Sequence, residues 1–516
     1  MDSLLKKASI IITPTAHNVG SINAIKPIQT IGVELGDDST ITNAGNAVMT
    51  KISNLNYNAT SDGTQTSSIR PRLGFNNTIV GSKYKISIKA TNKSGTILFK
   101  LFNGSSYVIS GNDLSSDIDF IFTAQSTSTV NFNFDGREVF NVDLEISLKQ
   151  IINADLDFER ATSGSVVGTA QREKADGVLE QVAENVPRID YTGGVAHWLI
   201  EPQSRNLITY SEDFLNSNWQ HNSALNITAN ATTSPNGAIN ATRVEYSGSG
   251  SRLGVDIALT SGNSYTLSFY AKNNGGTANL NVRVDGQSLP LQPYTITDDF
   301  ERYEFTFTAT ATATSEIRLF TSTTGIDAFI WGAQLEELSY ATSYIPTSAQ
   351  TVTREKDSFG LNTTLDTSLI DSTEGTFYVE MAALDDNQIN RIVSLSEGNN
   401  NNTIRVRFEE SVSNKIRIDI KTQSGQSSIY STTSYDILNF SKIGVRFKTN
   451  DCACFVNGTE LTASSGGSTG DTYPANTLTK IESSRGGGSL PFEGKIKCIA
   501  VFKEGLTDAE LTCLTT

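Results

Sequence analysis

Histidine is almost missing: His17, His197 and His221 are the only three in the chain. A Ser or Cys nucleophile needs a His base within hydrogen-bond reach, itself held by an acid. No nucleophile-elbow pattern flanks any of the three, so they read as packing or surface side chains and the chain as no enzyme. Cysteine is scarce and late, at Cys452, Cys454, Cys498 and Cys513. With no His nearby a zinc site lacks its ligands, and a disulfide framework would be denser and more widely spread. Cys452 and Cys454, two apart on a strand, project from one face and do not easily bond each other. All four read as small buried thiols of a last domain. Long apolar runs are absent too. Ile10–Ile12 is too short for the hydrophobic region of a secretory signal, and no stretch approaches the length that spans a bilayer. Synthesis in a cytoplasm, without membrane insertion, is the expectation.

Clustered basic residues are also lacking. The chain carries 40 basic against 55 acidic residues, a formal charge of −15, which opposes binding to nucleic acid or anionic lipid. The glycine-rich stretches at 248–251 and 486–488 lack the Lys-Ser/Thr and helix onset of a phosphate loop and read as turns.

What the chain does contain is Thr, Ser, Asn and Gly in abundance, with 37% apolar residues over 516 positions. That length suits about three or four domains. Thr favours pleated surfaces, while Asn, Gly and Ser favour turns. An internal repeat organises the mixture. GSKYKISIKATNKSGT at 81–96 aligns with GNSYTLSFYAKNNGGT at 262–277, through Gly81/Gly262, Tyr84/Tyr265, Ser87/Ser268, Ala90/Ala271, Asn92/Asn273, Gly95/Gly276 and Thr96/Thr277. Upstream, Arg72-Leu73-Gly74 matches Arg252-Leu253-Gly254. Downstream, DFIFTA at 119–124 matches EFTFTA at 304–309, and VFNVDLEI and AFIWGAQL close the two copies. The offset drifts only from 180 to 185 residues. Period-2 alternation in both copies predicts half-buried strands, hence two related β-sandwiches over 31–150 and 206–350.

Residues 351–516 show the same alternation, in TIRVRFEES, KIRIDIKT, KIGVRFKT and KIKCIAVFK. Asn457-Gly458 predicts a hairpin turn. Thr507 with Glu510 three residues later predicts a capped terminal helix. Between the repeats, 151–205 is rich in charge and small residues and predicts a connector of irregular structure and short pairings, too small for an independent core. Residues 1–30 have too little apolar surface for a core and are expected to be extended, or paired with neighbouring chains.

At the connector the sequence resembles a segment of bacteriophage head- and tail-fibre proteins. The resemblance is carried by Phe158, Arg160, Ala161, Thr162, Pro187, Arg188, Tyr191, Leu199, Glu201, Arg205, Asn206, Ser211, Glu212, Phe214 and Trp219. The stretch ending WGAQLEELSYATSYIPT at 331–347 resembles carbohydrate-binding-like jelly-roll modules. FVNGTEL and FEGKIKCIAVFKEGLTDAEL resemble laminin-G or concanavalin-like domains, and the opening resembles the start of such virion proteins. The fold class implied is all-β: serial antiparallel β-sandwiches, two of them related jelly-roll modules and one concanavalin-like, behind an N-terminal anchor segment. The role implied is a virion fibre or adhesin, made in the host bacterial cytoplasm. It would be a homotrimer, docked on other virion proteins through 1–30 and contacting host surface glycans. A non-binding capsid or tail decoration protein and a polysaccharide depolymerase are the alternatives. In the family layout the opening runs almost directly into the connector; here the first sandwich stands between them.

Sugar binding rests on aromatic rings and polar side chains at a surface. Trp219, Tyr270 and Tyr303 are the candidates in the second sandwich, and Tyr473 and Arg485 with the 399–402 turn in the last. Trp331 shares the phase of Phe329 and Leu335 and is assigned to the core. No cofactor is required. The resemblance does make Glu212, Asp213 and Glu336 candidates for a structural calcium ion, which takes six to eight oxygen ligands. A glycosidase would use two carboxylates at fixed separation. The visible pairs Asp298-Asp299, Glu336-Glu337 and Asp385-Asp386 alternate sides of a strand or lie in turns.

Overall fold

A computed structural model describes residues 2–516 except 27–29, 36–38, 67, 69, 79–81, 115, 161–169, 223, 249–250, 387–390, 409–413, 424–426, 433 and 466–472. Gly81 of the repeat, Ala161 and Thr162 of the connector motif, and part of the 248–251 stretch therefore lie outside the described residues. Nearly all regular structure is antiparallel strand. The chain divides into two compact units, residues 27–153 and residues 1–26 with 154–516.

The unit 27–153 is one sandwich. Its first sheet runs in the order Ile118–Thr123, Lys83–Gly95, Val139–Ile152, Asn56–Asp62, Val48–Ser53, with Thr30–Glu34 also pairing Val139–Ile152. Its second runs Tyr107–Asp113, Leu98–Asn103, Val130–Phe134, Arg72–Phe75, Ser39–Thr42. Alternate residues meet between the sheets: Tyr84, Ile86 and Ile88 from one, Leu73, Phe75, Phe99, Leu101 and Phe132 from the other.

Within the larger unit, residues 206–336 repeat this topology. One sheet runs Glu301–Thr308, Ser264–Asn273, Ile326–Glu336, Ile239–Tyr246, Leu225–Thr233. The other runs Gln292–Ile296, Ala278–Val284, Ala313–Phe320, Arg252–Leu259, Trp219–His221. The order of strands matches the first sandwich place for place. Registers match as well: Gly74 lies opposite Asn131 as Gly254 lies opposite Arg318. The repeat read from sequence is a repeat of fold.

The last sandwich pairs a six-stranded sheet with an eight-stranded one, and here two expectations meet the structure. The first concerns 1–30. Strand Ile10–Ile12 pairs antiparallel with Gly494–Phe502 of its own chain, Ile11 opposite Ala500. Leu4, Ala8 and Ile11 pack with Phe502, Leu511 and Leu514, and Lys7 meets Glu510 at 2.6 Å. The apolar triplet is thus a sheet strand of this domain, paired within its own chain. The second concerns the connector. His197–Ile200 pairs Gly494–Phe502 as well, and Leu156–Glu159 pairs Ser358–Phe359. Residues 154–205 thus supply strands to a core that they are too short to build alone.

Two local predictions hold in this domain, at a hairpin turn and at the terminal helix. Asn457 (φ 46°) and Gly458 (φ 79°) form the left-handed turn of the hairpin joining Ala453–Val456 to Thr459–Leu461. Thr507 and Glu510 form a reciprocal capping box on the helix Asp508–Thr515. Cys452, Cys454 and Cys498 are buried free thiols as expected, but Cys513, expected to be buried with them, is exposed on the terminal helix.

Candidate functional site: a cleft above a buried ionic junction

The connector motif folds into a buried charged cluster. Arg188 donates to Glu201 at 2.6 Å, to Ser343 Oγ at 2.8 Å and, through its other Nη, to Asp357. Arg160 reaches Asp357 at 3.0 Å and the carbonyls of Ala183 and Val186 at 2.6 and 2.9 Å. Arg354 pairs with Glu201 and donates to the Pro202 carbonyl at 2.6 Å. Arg188 and Arg354 are completely buried. Burial alone would raise the Glu201 carboxyl, but Arg354 and Arg188 bring it down to about 2. Burial moves Arg160 the other way, to about 10. Asn206, next in the motif, donates to the carbonyls of Ala333 and Ile345 and accepts from the N–H groups of Ile208 and Leu335. Such a cluster fixes one arrangement of connector, second sandwich and residues 343–357, because each group left unpaired in the interior would be costly.

Beside this junction lies a cleft of about 610 Å³. One wall is the outer face of the 206–336 sandwich, with Tyr270, Phe300, Arg302 and Glu304. Opposite stand Gln171, Arg172, Glu173 and Leu179 of the connector hairpin, and Tyr340, Ser343 and Lys495 close it. Tyr270 packs 5.5 Å from Trp331, with the Arg302 guanidinium 5.7 Å from its ring. Lys272 sits 5.1 Å over the Phe300 ring. Arg302 is anchored by Ser268 Oγ at 2.9 Å and the Thr342 carbonyl at 2.7 Å. Burial raises the carboxyls of Glu304 and of Glu173, the latter pushed further by Asp190. The volume lies in the usual range for small-ligand sites. The lining offers ring faces, cationic donors and carboxylate acceptors, the mixture that holds a polyhydroxylated ring.

Of the sequence candidates only Tyr270 reaches this cleft. Trp219 is buried, its Nε1 donating to the Tyr210 carbonyl at 2.8 Å and its ring packed on Phe214. Tyr303 is buried against Phe269. Tyr473 is buried too, donating to the Thr403 carbonyl at 3.1 Å. None of these three offers a ring face to a sugar from solvent. Arg485 is half-buried, and its loop does abut the 399–402 turn: a Cβ on Gly486 would lie 2.2 Å from the Asn399 carbonyl. Trp331 is buried as expected but on the other side of its sheet. The ladder shifts register beside left-handed Gly332, so Ile330 and Leu335 enter the sandwich core while Trp331 packs with Tyr344 and Ala241.

The three proposed calcium ligands do not fit an ion. Glu336 is wholly buried and accepts from Ser204 Oγ at 2.5 Å, the Thr342 N–H at 2.9 Å, the Thr342 hydroxyl and Gln334 Nε2 at 2.7 Å. Four donors point at its oxygens, one of them a backbone N–H that cannot turn away. Glu212 accepts from Tyr344 and Asn240, both at 3.0 Å, with burial raising its carboxyl. Asp213 is exposed. Among the described residues no group of three or more His, Cys, Asp or Glu side chains is placed to hold a metal.

The histidines make local contacts. His197 is buried, with Nδ1 2.9 Å from the Val195 carbonyl and Nε2 3.3 Å from Asp190. His17 packs edge-on to Trp198 at 6.1 Å.

The family model described as carbohydrate binding domain matches residues 206–325, the sandwich that forms one wall of the cleft. Similar solved structures include the tandem CBM22 modules at the N-terminus of Paenibacillus barcinonensis Xyn10C, at 9% identity and TM-score 0.20, covering 60% of this chain and 98% of that one. A CBM4 structure aligns at 16% identity and TM-score 0.21, over 26% of this chain and 99% of that one. The enzymatically active domain of bacteriophage CBA120 tailspike protein 4 aligns at 18% identity and TM-score 0.21, over 25% of this chain and 21% of that one. Similarity at these TM-scores carries no argument about function. No curated protein matches the chain.

Proposed function

We propose that the chain is a structural protein of a bacteriophage particle, a head or tail fibre or adhesin without chemistry of its own, and that its second sandwich binds host glycan in the cleft beside Tyr270. The observation that carries the glycan reading is the carbohydrate-binding-domain match over 206–325. The cleft supports it: Tyr270 and Phe300 can take the apolar face of a pyranose, while Arg302, Arg172, Glu173 and Glu304 bond its hydroxyls. The virion reading rests on the connector motif, whose described members build the junction that holds this module. Repeated modules on a trimer would add avidity to weak single sites.

Full-length protein on a glycan array, beside Phe300→Ala and Tyr270→Ala, tests the site. Binding lost in both variants supports the reading; binding to no glycan favours a decoration protein. Clearing of capsular polysaccharide by the wild-type chain would favour the depolymerase instead. Antibody labelling of intact particles tests the virion role, and light scattering tests the trimer.

A further inference from the structure

We propose that the first sandwich carries a second, separate glycan site, on the outer face of its five-stranded sheet, for a sugar chain bearing carboxylates. Two rows of side chains cross this sheet. In one, Tyr107, Phe102, Asn131, Gly74 and Thr40 stand opposite one another strand by strand. In the next, Lys100, Asn133, Arg72 and Thr42 do the same. At about 4.8 Å between strands, five strands give a track of about 19 Å, the scale of a short oligosaccharide.

The chemistry of the track is that of sugar recognition. Phe102 and Tyr107 form an edge-to-face pair at 5.2 Å, and Tyr107 is 43% exposed. Neither ring belongs to the sandwich core, so each keeps a face for the C–H side of a pyranose. Asn133 is almost fully buried, and its Oδ1 has no hydrogen-bond partner among the described residues. A buried amide oxygen left in that state is costly unless something donates to it, and a sugar hydroxyl can. Gly74 removes a side chain from the middle of the row, where a Cβ would stand 3.0 Å from Thr40 Oγ1 and 3.3 Å from Asn131 Oδ1.

Charge selects the kind of glycan. Arg72 donates to Thr42 Oγ1 at 3.3 Å. Lys100 donates to Ser68 Oγ at 3.4 Å and lies 5.7 Å over the Tyr107 ring. Neither has an acidic partner at ion-pair distance among the described residues. Asp135, close enough to feel Lys100, is held by Arg137 at 2.8 and 3.1 Å. The second sandwich shows the contrast. By ladder register, Arg283 replaces Phe102, Arg318 replaces Asn131 and Asn281 replaces Lys100. There the cations are neutralised within the face: Arg252 to Glu316 at 2.8 Å, Arg318 to Glu316 at 2.7 Å and Arg283 to Asp285 at 2.8 Å. One fold thus presents a closed ionic lattice in one copy, and in the other aromatic rings with two cations that have no ion-pair partner among the described residues.

The test is native affinity electrophoresis of the full-length chain in gels containing polygalacturonate, alginate or polysialic acid, with neutral β-glucan as reference. Retardation is expected in at least one acidic polymer and not in β-glucan. It should weaken by about tenfold or more in Phe102→Ala/Tyr107→Ala and in Arg72→Gln/Lys100→Gln, and should persist in Tyr270→Ala. An unchanged thermal transition for the Arg72/Lys100 variant shows that its sandwich still folds. No retardation in any acidic polymer overturns the proposal. So does retardation that survives loss of the two rings, which marks plain charge attraction, or retardation lost only in Tyr270→Ala, which assigns the binding to the other module.

Discussion

Arg188 and Glu201, 13 residues apart in the chain, face each other at 2.6 Å with both side chains shut away from water. Around them Arg160, Arg354 and Asp357 complete a set in which three guanidiniums share two carboxylates and several carbonyl oxygens. Removing one partner strands another in the interior, where the loss is about 3–5 kcal/mol. Arg188→Ala is therefore expected to destabilise the unit holding 154–516 by roughly that amount. Chemical denaturation followed by tryptophan fluorescence checks it, since Trp198, Trp219 and Trp331 all lie in this unit. A change under about 1 kcal/mol would mean that the cluster behaves as an exposed ion pair.

The same cluster sets an acid limit. Against the cost of burial, the guanidiniums of Arg354 and Arg188 hold the Glu201 carboxyl down at about 2, below its ordinary 4.5. A depressed carboxylate contributes stability above its unfolded value, and that contribution is lost as pH falls through the folded one. Wild type should therefore lose stability between about pH 4.5 and 2. Glu201→Gln should be weaker at neutral pH, with a shallower decline over that interval. Melting temperatures measured from pH 6 to pH 2 in both proteins give the comparison, and parallel curves would contradict it.

Deleting residues 2–12 should do more than detach an anchor. It uncovers the Gly494–Phe502 edge that Ile10–Ile12 pairs and the apolar surface under Leu4 and Ala8. An unpaired edge invites association between chains. The truncated protein is expected to melt lower and to bind a hydrophobic dye or aggregate. A truncated chain that melts like wild type would restore the reading of a free N-terminal segment.

These outcomes also mark what the sequence could reveal. Period-2 alternation exposed the sandwiches and their repeat because each strand reports its own two faces. Tyr270 was legible as outward-facing for that reason, standing out of phase with Tyr265, Leu267 and Phe269. Tyr303 carried the opposite signal, sharing the phase of buried Phe305 and Phe307, and belonged with the core. The junction was hidden: Glu201 and Asp357 meet across 156 residues, a distance that no local pattern spans. Trp331 misled because a register shift beside Gly332 reverses the faces partway along its strand. The Ile10–Ile12 triplet was visible, but its partner strand lies almost at the other end of the chain.

Calcium should leave stability unchanged. The oxygens of Glu336 are already taken by four donors, and an ion would have to displace a backbone N–H. Melting curves with a chelator and with added calcium should coincide. A rise of several degrees on adding calcium would show an ion bound by oxygens other than these. Thr342→Val, which removes a hydroxyl donor from buried Glu336, should instead cost about 1–3 kcal/mol.

Trp219 separates a structural aromatic from a sugar platform. Its ring is buried against Phe214 at 4.8 Å and its Nε1 is bound to the Tyr210 carbonyl, so the side chain ties 210–219 to the sandwich core. Trp219→Ala should destabilise the second module by about 3–5 kcal/mol. Trp219→Phe keeps most of the ring packing and forfeits the hydrogen bond, and should lose about 1 kcal/mol. If the cleft is the glycan site, the Phe variant binds sugar as wild type does while Phe300→Ala does not, because Phe300, unlike Trp219, reaches the lining. A Trp219→Phe protein that is stably folded and blind to glycan would return Trp219 to the binding surface and move the site off the cleft.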